Sequence, residues 1–234
     1  MITSFFDINN VFFTLWDYPM SYLEFFGTIF NILCVWLAMR KSVWNWPIGI
    51  LAVILFAALF YQINLYSDFF EQIYYLLTGF WGWWAWSRLK NTHKKNGQET
   101  IAHNTPRENI LWGIALITGT ILLGGFMARI NTIFPEWFPE AASFPYLDAF
   151  TTIASFIAQI LLIRQRIENW YLWIVVDVIG VWLYFEKEVK FVSALYLIFL
   201  ILATSGLIHW QRKFRQSSKQ NRSAPMPRKE VRIV

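Results

Sequence analysis

The sequence has little charge, one cysteine and few histidines. Only 15% of its 234 residues are charged, whereas soluble domains average about 25%. Because Cys34 is the single cysteine, a disulfide-stabilised scaffold and a cysteine-ligated zinc site are excluded. Three histidines are too few for most metal clusters, and the GxGxxG, P-loop, HExxH and CxxC motifs are missing. A soluble enzyme is therefore not expected.

Most of the sequence is apolar, and much of it is aromatic. Hydrophobic residues make up 56% of the chain, including 14 Trp, 22 Phe and 10 Tyr. A soluble core of this size could not enclose so many aromatic side chains and keep a polar surface. Apolar runs of about 17–25 residues are long enough to cross a bilayer as helices. The sequence therefore predicts an all-α integral membrane protein with seven transmembrane helices, at 22–39, 46–63, 70–87, 109–128, 147–163, 170–185 and 191–209.

The basic residues predict the orientation of these helices. Seventeen of the 20 Lys and Arg residues lie in segments that would face the same side: 40–41, 88–107, 164–166 and 212–232. By the positive-inside rule this side is the cytoplasm, so the C-terminus is expected inside and the N-terminus outside. The basic tail could also bind RNA or anionic lipid, but topology already explains its charge and no nucleic-acid partner is expected.

The two ends of the chain are expected to lie outside the helix bundle. In residues 1–20, apolar side chains from Phe5 to Trp16 recur every three or four positions. This pattern predicts an amphipathic helix at the membrane interface, with a short extra span as the alternative. Residues 212–234 are basic and contain Ser and Pro, so a disordered cytoplasmic tail is predicted.

An internal repeat organises the rest of the chain. A shift of 124 positions, without gaps, places residues 22–50 on 146–174. The paired residues include Tyr22 and Tyr146, Arg40 and Arg164, Trp46 and Trp170, Gly82 and Gly206, and Trp86 and Trp210. Apolar composition alone would not keep Trp, Arg and Gly in register over such a length. The predicted segments are a first three-helix repeat at 21–90, a basic cytoplasmic loop at 91–108, a linker helix at 109–129, an external loop at 130–145 and a second repeat at 146–211.

The odd number of helices in each repeat gives the linker helix a role. Without a fourth helix, the two repeats would face opposite ways across the membrane. The predicted architecture is therefore 3+1+3 with parallel repeats, the arrangement of SWEET-type transporters, with a substrate site between the repeats near the midplane. Transport is the favoured function. A membrane enzyme acting on lipid and a receptor or scaffold are the alternatives.

One acidic residue lies deep in a predicted span. Asp177 is in the middle of the sixth helix, where a charge costs at least about 2.5–3.5 kcal/mol. It is expected to contact a substrate or ion, or else to form a hydrogen bond between helices. Trp170 and Trp173 lie on its helical face and Trp182 at the edge, so their rings could bind a flat or cationic ring. For Trp170 and its repeat partner Trp46, the alternative is an anchor at the membrane interface.

Polar side chains on other helices extend the candidate site. Gln72 and Tyr75 share one face of the third helix, where an amide and a phenol could bind a carboxamide or ribose. Tyr196 is the repeat partner of Gln72, while Gln159 and Asn31 could equally form hydrogen bonds between helices. The tryptophan-rich stretch 81–86 is interpreted as a headgroup anchor.

Four segments are distinctive: NWPIGI (45–50), YSDFFEQIYY (66–75), GWWAW (82–86) and NWYLWIVVD (169–177). Together they resemble the PnuC nicotinamide riboside transporters of bacteria, over residues 22–210. The resemblance implies a SWEET-like fold, a vitamin site at Trp170, Trp173 and Asp177 with Gln72 as a further contact, and a homotrimer.

The resemblance also implies a mechanism. It predicts uptake of nicotinamide riboside across the bacterial inner membrane by facilitated diffusion and alternating access, with no cofactor. Thiamine and riboflavin transporters share this fold, so the vitamin stays open. Ion coupling is the mechanistic alternative, because an acid inside a membrane can relay protons.

Overall fold

The structure, a computed structural model, describes residues 6–15, 18–63, 66–96, 100–136, 143–186 and 190–223. These residues form a β-hairpin and seven long helices. The strands are β1 (Val11–Leu15) and β2 (Tyr18–Ser21), and the helices are α1 (Tyr22–Met39), α2 (Asn45–Gln62), α3 (Tyr66–Asn96), α4 (Pro106–Met127), α5 (Pro145–Ile163), α6 (Glu168–Glu186) and α7 (Lys190–Ser223). A four-residue helix, Ile130–Ile133, follows α4. Each of the seven predicted apolar runs overlaps one long helix.

Five helices are long and apolar enough to cross a membrane: α1, α2, α4, α5 and residues 192–219 of α7. The other two long helices, α3 and α6, are not among these five; both contain several Trp and Tyr residues together with acidic residues. Such aromatic side chains count as weakly polar on hydropathy scales although they bury large apolar areas. The chain is therefore a multi-pass membrane protein, with five spans identified by composition.

The residues before α1 form a hairpin, and the predicted amphipathic helix over 1–20 is wrong in its described part. Strands β1 and β2 pair antiparallel, with Val11 opposite Ser21. The run Val-Phe-Phe-Thr favours a strand, because β-branched and aromatic side chains pack well on a pleated surface. The Phe12 ring packs on Tyr22 and Phe25 of α1. Residues 1–5 and 16–17 lie outside the described part.

Helix α7 is longer than the sequence suggested. It continues to Ser223, so residues 212–223, predicted to be disordered, are helical. Arg, Lys and Gln are good helix formers, and they extend the apolar part of the helix into water. Residues 224–234 lie outside the described part. Likewise, α3 continues to Asn96, into the segment predicted as a loop.

Packing relates the two halves of the chain to each other. Within each half the helices pack in order, α1 on α2 on α3 and α5 on α6 on α7. Across the halves, α1 packs on α7 and α3 packs on α5. In both cross-contacts the first helix of one half meets the third helix of the other. Helix α4 packs on α5 and is not one of the helices in these two cross-contacts.

The repeat also extends to single backbone angles. Two residues after the end of α1 and of α5 stands a residue with a left-handed conformation, Lys41 with φ 58° and Gln165 with φ 56°. The N–H of the next residue, Ser42 or Arg166, donates to the carbonyl of Leu37 or Leu161 respectively, each at 2.9 Å. Such a turn satisfies the free carbonyls at the end of a helix. The two halves thus turn into their second helices in the same way.

Candidate functional site

Asp177 is a buried carboxyl group in the middle of α6. The residue is only 4% exposed. Within the part of the chain that the structure describes, its side chain forms no hydrogen bond or ion pair. A buried carboxyl group without a partner is costly, so native proteins rarely keep one without a functional reason. This side chain is the strongest indication of a ligand site.

Tyr196 of α7 lies within electrostatic range of Asp177. Its ring is pressed against Gly180: a Cβ atom there would lie 2.3 Å from Tyr196 Cδ1. The ring also stacks on Tyr184, with centroids 5.3 Å apart and an interplanar angle of 16°. Because α6 offers glycine at this point, the ring of Tyr196 packs directly on α6, about one helical turn from the buried acid.

Helix α3 brings a second group of polar side chains, which fasten it to α5. Thr152 Oγ1 donates a hydrogen bond of 2.7 Å to Glu71 Oε1. Tyr75 lies within electrostatic range of Glu71 and of Tyr196. Since Tyr75 and Tyr196 are on the third helices of the two halves, both halves contribute polar side chains to this region.

A cluster of four buried tryptophans lies at the end of the bundle where α1 and α5 end. The cluster consists of Trp46, Trp86, Trp170 and Trp210, each 3% exposed or less. Trp86 packs edge-on to Trp46, and Trp210 edge-on to Trp170, with centroids 5.4 and 5.6 Å apart. These rings form part of the hydrophobic core, so we call the group the tryptophan cluster.

The tryptophan cluster joins the two halves reciprocally. Trp86 Nε1 donates 3.0 Å to the carbonyl of Ile163, and Trp210 Nε1 donates 3.0 Å to the carbonyl of Met39. Met39 and Ile163 are the last residues of α1 and α5, whose carbonyls lack a partner within the helix. Each half therefore satisfies a free helix end of the other half.

Trp46 and Trp170, which were predicted to contact a ligand, are therefore also part of the hydrophobic core. Trp46 and Trp170 pack on Gly82 and Gly206, where a Cβ atom would lie within 2.3 and 2.7 Å of their rings. Trp170 is two helical turns, about 10 Å, from Asp177 along α6. The interpretation of these two residues as interfacial anchors also fails, because they are buried. The same holds for Trp86 in the stretch 81–86, whereas Trp81, Trp83 and Trp84 are exposed as expected of anchors.

The remaining candidates have mixed environments. Trp173 is half-buried and packs on the edge of the tryptophan cluster. Trp182 is 51% exposed, and its ring meets Phe144 before α5. Asn31, Gln72 and Gln159 are half-buried. In the described part of the chain none of these three side chains forms a hydrogen bond, so all three retain free polar groups.

Sequence reasoning missed three residues of the site. Glu71, Thr152 and Tyr184 were outside the predicted set, although each has a signal in the sequence. Glu71 precedes Tyr75 by four positions and Tyr184 follows Asp177 by seven, and both spacings place residues on the same helical face. The repeat offset of 124 positions relates Thr152 to Thr28.

Comparison with known proteins decides the family. A sequence profile described as Nicotinamide mononucleotide transporter matches residues 21–212. The chain belongs to this family. The nicotinamide riboside transporter PnuC of Escherichia coli (strain K12) is 30% identical over 217 residues, which are 85% of this chain and 89% of that protein. The chain is thus a PnuC-family member. Its relatives are named as transporters and not as enzymes.

A second relative and a solved structure add to this. The riboflavin/roseoflavin transporter RibM of Streptomyces davaonensis is 25% identical over 213 residues, covering 91% of this chain and 95% of that protein. The crystal structure of the vitamin B3 transporter PnuC superimposes with a TM-score of 0.63 at 22% identity, over 84% of this chain and 83% of that one. The family member described here therefore has the fold of that transporter.

Proposed function

We propose that the protein takes up nicotinamide riboside across the bacterial inner membrane by facilitated diffusion. The observation that supports this most directly is Asp177, a buried carboxyl group without a described partner in the middle of α6, within electrostatic range of Tyr196. A riboside offers hydroxyl and amide groups that could satisfy such an acid. The Escherichia coli relative, named as a nicotinamide riboside transporter, supports the choice of ligand.

The proposed architecture is that of seven spanning helices in a 3+1+3 arrangement, with α4 as the linker. The first helix of each half packs on the third helix of the other half, which is the packing expected of two parallel repeats. Alternating access then consists of one half rocking against the other around the central site. By the positive-inside rule, the end where α3 and α5 begin faces outwards. A homotrimer is proposed on family resemblance.

In this proposal each site residue has a task. Asp177, Gln72 and Tyr75 form hydrogen bonds to the ribose or the carboxamide, and Tyr196 positions the acid. The indole of Trp173 stacks on the nicotinamide ring. Gln159 and Asn31 line the passage. Trp182, exposed beside Phe144, is left out of this assignment, as are the core residues Trp46 and Trp170.

Uptake into proteoliposomes tests the proposed function. We expect labelled nicotinamide riboside to enter down its gradient, to be competed by unlabelled riboside and not by thiamine or a simple sugar. An imposed proton gradient should leave the initial rate unchanged, because facilitated diffusion needs no coupling. Uptake that requires the proton gradient would refute facilitated diffusion. Riboflavin uptake without riboside uptake would favour the second candidate, riboflavin transport, which the Streptomyces relative suggests.

Replacing Asp177 tests the central site. We expect Asp177→Ala to weaken riboside binding about 5- to 150-fold, because a buried hydrogen-bonding partner worth about 1–3 kcal/mol is lost. Asp177→Asn keeps an acceptor oxygen and should lose less. The control is Glu136→Ala, at an exposed residue after α4. Isothermal titration of the purified variants gives the dissociation constants; unchanged affinity in Asp177→Ala would remove Asp177 from the site.

A further inference from the structure

Two contacts join the halves of the bundle, and the repeat makes them equivalent. In the first, α3 packs on α5, and in the second, α7 packs on α1. We call these contacts the first seam and the second seam. At the end of the bundle where α1 and α5 end, both seams are closed alike, because Trp86 and Trp210 each donate an indole hydrogen bond to the last carbonyl of the facing helix. Any difference between the seams therefore lies in the rest of their length.

The first seam has polar contacts in its other half, which starts where α3 and α5 begin and which we call the outer half. Thr152 Oγ1 donates a hydrogen bond of 2.7 Å to Glu71 Oε1. About one turn further along α3, the hydroxyl group of Tyr74 donates 2.9 Å to the carbonyl of Phe156. The rings of Tyr74 and Phe156 also stack, with centroids 4.0 Å apart. These contacts fasten α3 to α5 about 18 Å along the helix from Trp86.

The second seam cannot form the same contacts. A shift of 124 positions relates Glu71 and Tyr74 of α3 to Leu195 and Ile198 of α7. Neither leucine nor isoleucine has a hydrogen-bonding group in its side chain. Thr28 of α1 retains the threonine of the repeat, but the position equivalent to the acid is leucine. The two seams are therefore equivalent in packing and different in chemistry.

This difference decides which seam opens to water at the lower cost. When an apolar seam opens, it exposes apolar surface, and the free energy lost grows in proportion to that surface. When a polar seam opens, its hydrogen bonds are exchanged for hydrogen bonds to water, so the net loss for each bond is small. A polar ligand needs an opening that admits water. The outer half of the first seam is therefore the easier of the two to open.

We propose that the outer half of the first seam is the gate through which the ligand enters, and that the second seam is a hinge that stays packed. The contacts that close the gate are those of Glu71 with Thr152 and of Tyr74 with Phe156. The proposal rests on the proposed function and deepens it, because it assigns the entry route in alternating access. Opening moves the beginning of α3 away from α5 and admits the ligand towards Gln72, while the tryptophan cluster keeps the opposite end closed.

Thiol labelling measures the opening of each seam separately. The reporters are Ser155→Cys, one turn along α5 from Thr152, and Thr28→Cys at the second seam; both positions are buried. Each is introduced together with Cys34→Ala, which removes the native thiol. Tyr74→Phe keeps the ring and loses the hydroxyl group. In this variant, reconstituted in liposomes, a membrane-impermeant maleimide should label Ser155→Cys about two- to tenfold faster, the factor that one hydrogen bond contributes to an equilibrium. Labelling of Thr28→Cys should not change.

Matched variants test the second contact of the gate. Thr152→Val keeps the shape of the side chain and removes the donor to Glu71, so it should accelerate labelling of Ser155→Cys to a similar extent. Thr152→Ser retains a hydroxyl group and should label as slowly as the native sequence does. The control is Thr28→Val, the same change at the equivalent position of the second seam, which should leave labelling of Ser155→Cys unchanged.

A disulfide provides an independent readout of the gate. In Cys34→Ala, oxidation of Glu71→Cys combined with Thr152→Cys should stop uptake of nicotinamide riboside into proteoliposomes, and a reductant should restore it. Uptake that continues through the cross-linked protein would overturn the gate.

The labelling results decide the proposal without any ligand. No acceleration at Ser155→Cys in Tyr74→Phe and Thr152→Val would overturn the gate, and equal acceleration at Thr28→Cys would overturn the hinge. An effect of Thr28→Val as large as that of Thr152→Val would overturn the difference between the seams. If the native protein takes up no riboside, the proposed function fails, whereas the labelling rates still decide whether the first seam opens.

Discussion

Adding one methyl group at Gly82 or at Gly206 is expected to lower the thermal stability of the protein by several degrees. The Cβ atom of Gly82→Ala would lie 2.3 Å from the ring of Trp46, and that of Gly206→Ala 2.7 Å from the ring of Trp170. Both rings are buried and rigid, and each is flanked by a further tryptophan. Overpacking of this kind costs about 1–3 kcal/mol or more.

Gly113→Ala is the matched control for these two variants. Gly113 also lies within a long helix, α4, but nothing lies within 4 Å of the position that its Cβ atom would take. Alanine there should be neutral or stabilise the helix by up to about 1 kcal/mol, because glycine loses more backbone entropy on folding. Thermal unfolding of the purified proteins in one detergent gives the comparison. If Gly82→Ala unfolds at the same temperature as Gly113→Ala, the close packing of α3 on α2 at Gly82 is refuted.

The repeat was the part of the structure most readily predicted from the sequence. It paired Trp46 with Trp170 and Trp86 with Trp210, and its offset of 124 positions also relates Lys41 to Gln165, which follow Arg40 and Arg164. The structure places the first two pairs in one cluster and gives the third matching left-handed turns. Residues related by a repeat occupy equivalent environments. The repeat therefore predicts which residues correspond to each other, even where it does not predict what they do.

The roles of the tryptophans could not be predicted in the same way. In a helix of a membrane protein, an indole can face lipid, a ligand or a neighbouring helix. The amino-acid composition of the helix is similar in all three cases, so it does not distinguish them. Trp84 and Trp86 are two positions apart, yet one is 56% and the other 1% exposed. The difference depends on which helix lies opposite, namely α5 and α7 for Trp86.

The site was predicted in part for a related reason. Asp177 was recognised because an acid inside an apolar span is rare. The neighbours of Asp177 from other helices, such as Tyr196 beside Gly180 and Glu71 bonded to Thr152, depend on how α3, α5, α6 and α7 cross. Periodicity gives the face of a single helix, whereas the contacts between faces come from tertiary packing. The hairpin was missed because spacings of three and four also occur by chance in aromatic segments.

The two indole hydrogen bonds of the tryptophan cluster, each of which crosses between the halves, should contribute equally to stability. In Trp86→Phe the buried carbonyl of Ile163 loses its donor, and in Trp210→Phe the carbonyl of Met39 does. An unsatisfied buried acceptor costs about 1–3 kcal/mol, and the smaller ring adds a cavity term. Both variants are therefore expected to unfold at lower temperature, by similar amounts, since the halves are related by the repeat.

The tryptophan cluster provides its own controls for this experiment. Trp46→Phe and Trp170→Phe remove the same atoms from the same cluster, but their Nε1 atoms form no hydrogen bond in the described part of the chain. These two variants lose ring volume and an unpaired buried N–H group, without leaving a carbonyl unpaired. The difference in unfolding free energy between Trp86→Phe and Trp46→Phe, and between Trp210→Phe and Trp170→Phe, therefore compares an indole N–H that forms a hydrogen bond with one that does not. If both differences are zero, the cluster stabilises the protein by packing only, and the halves are not joined through their helix ends.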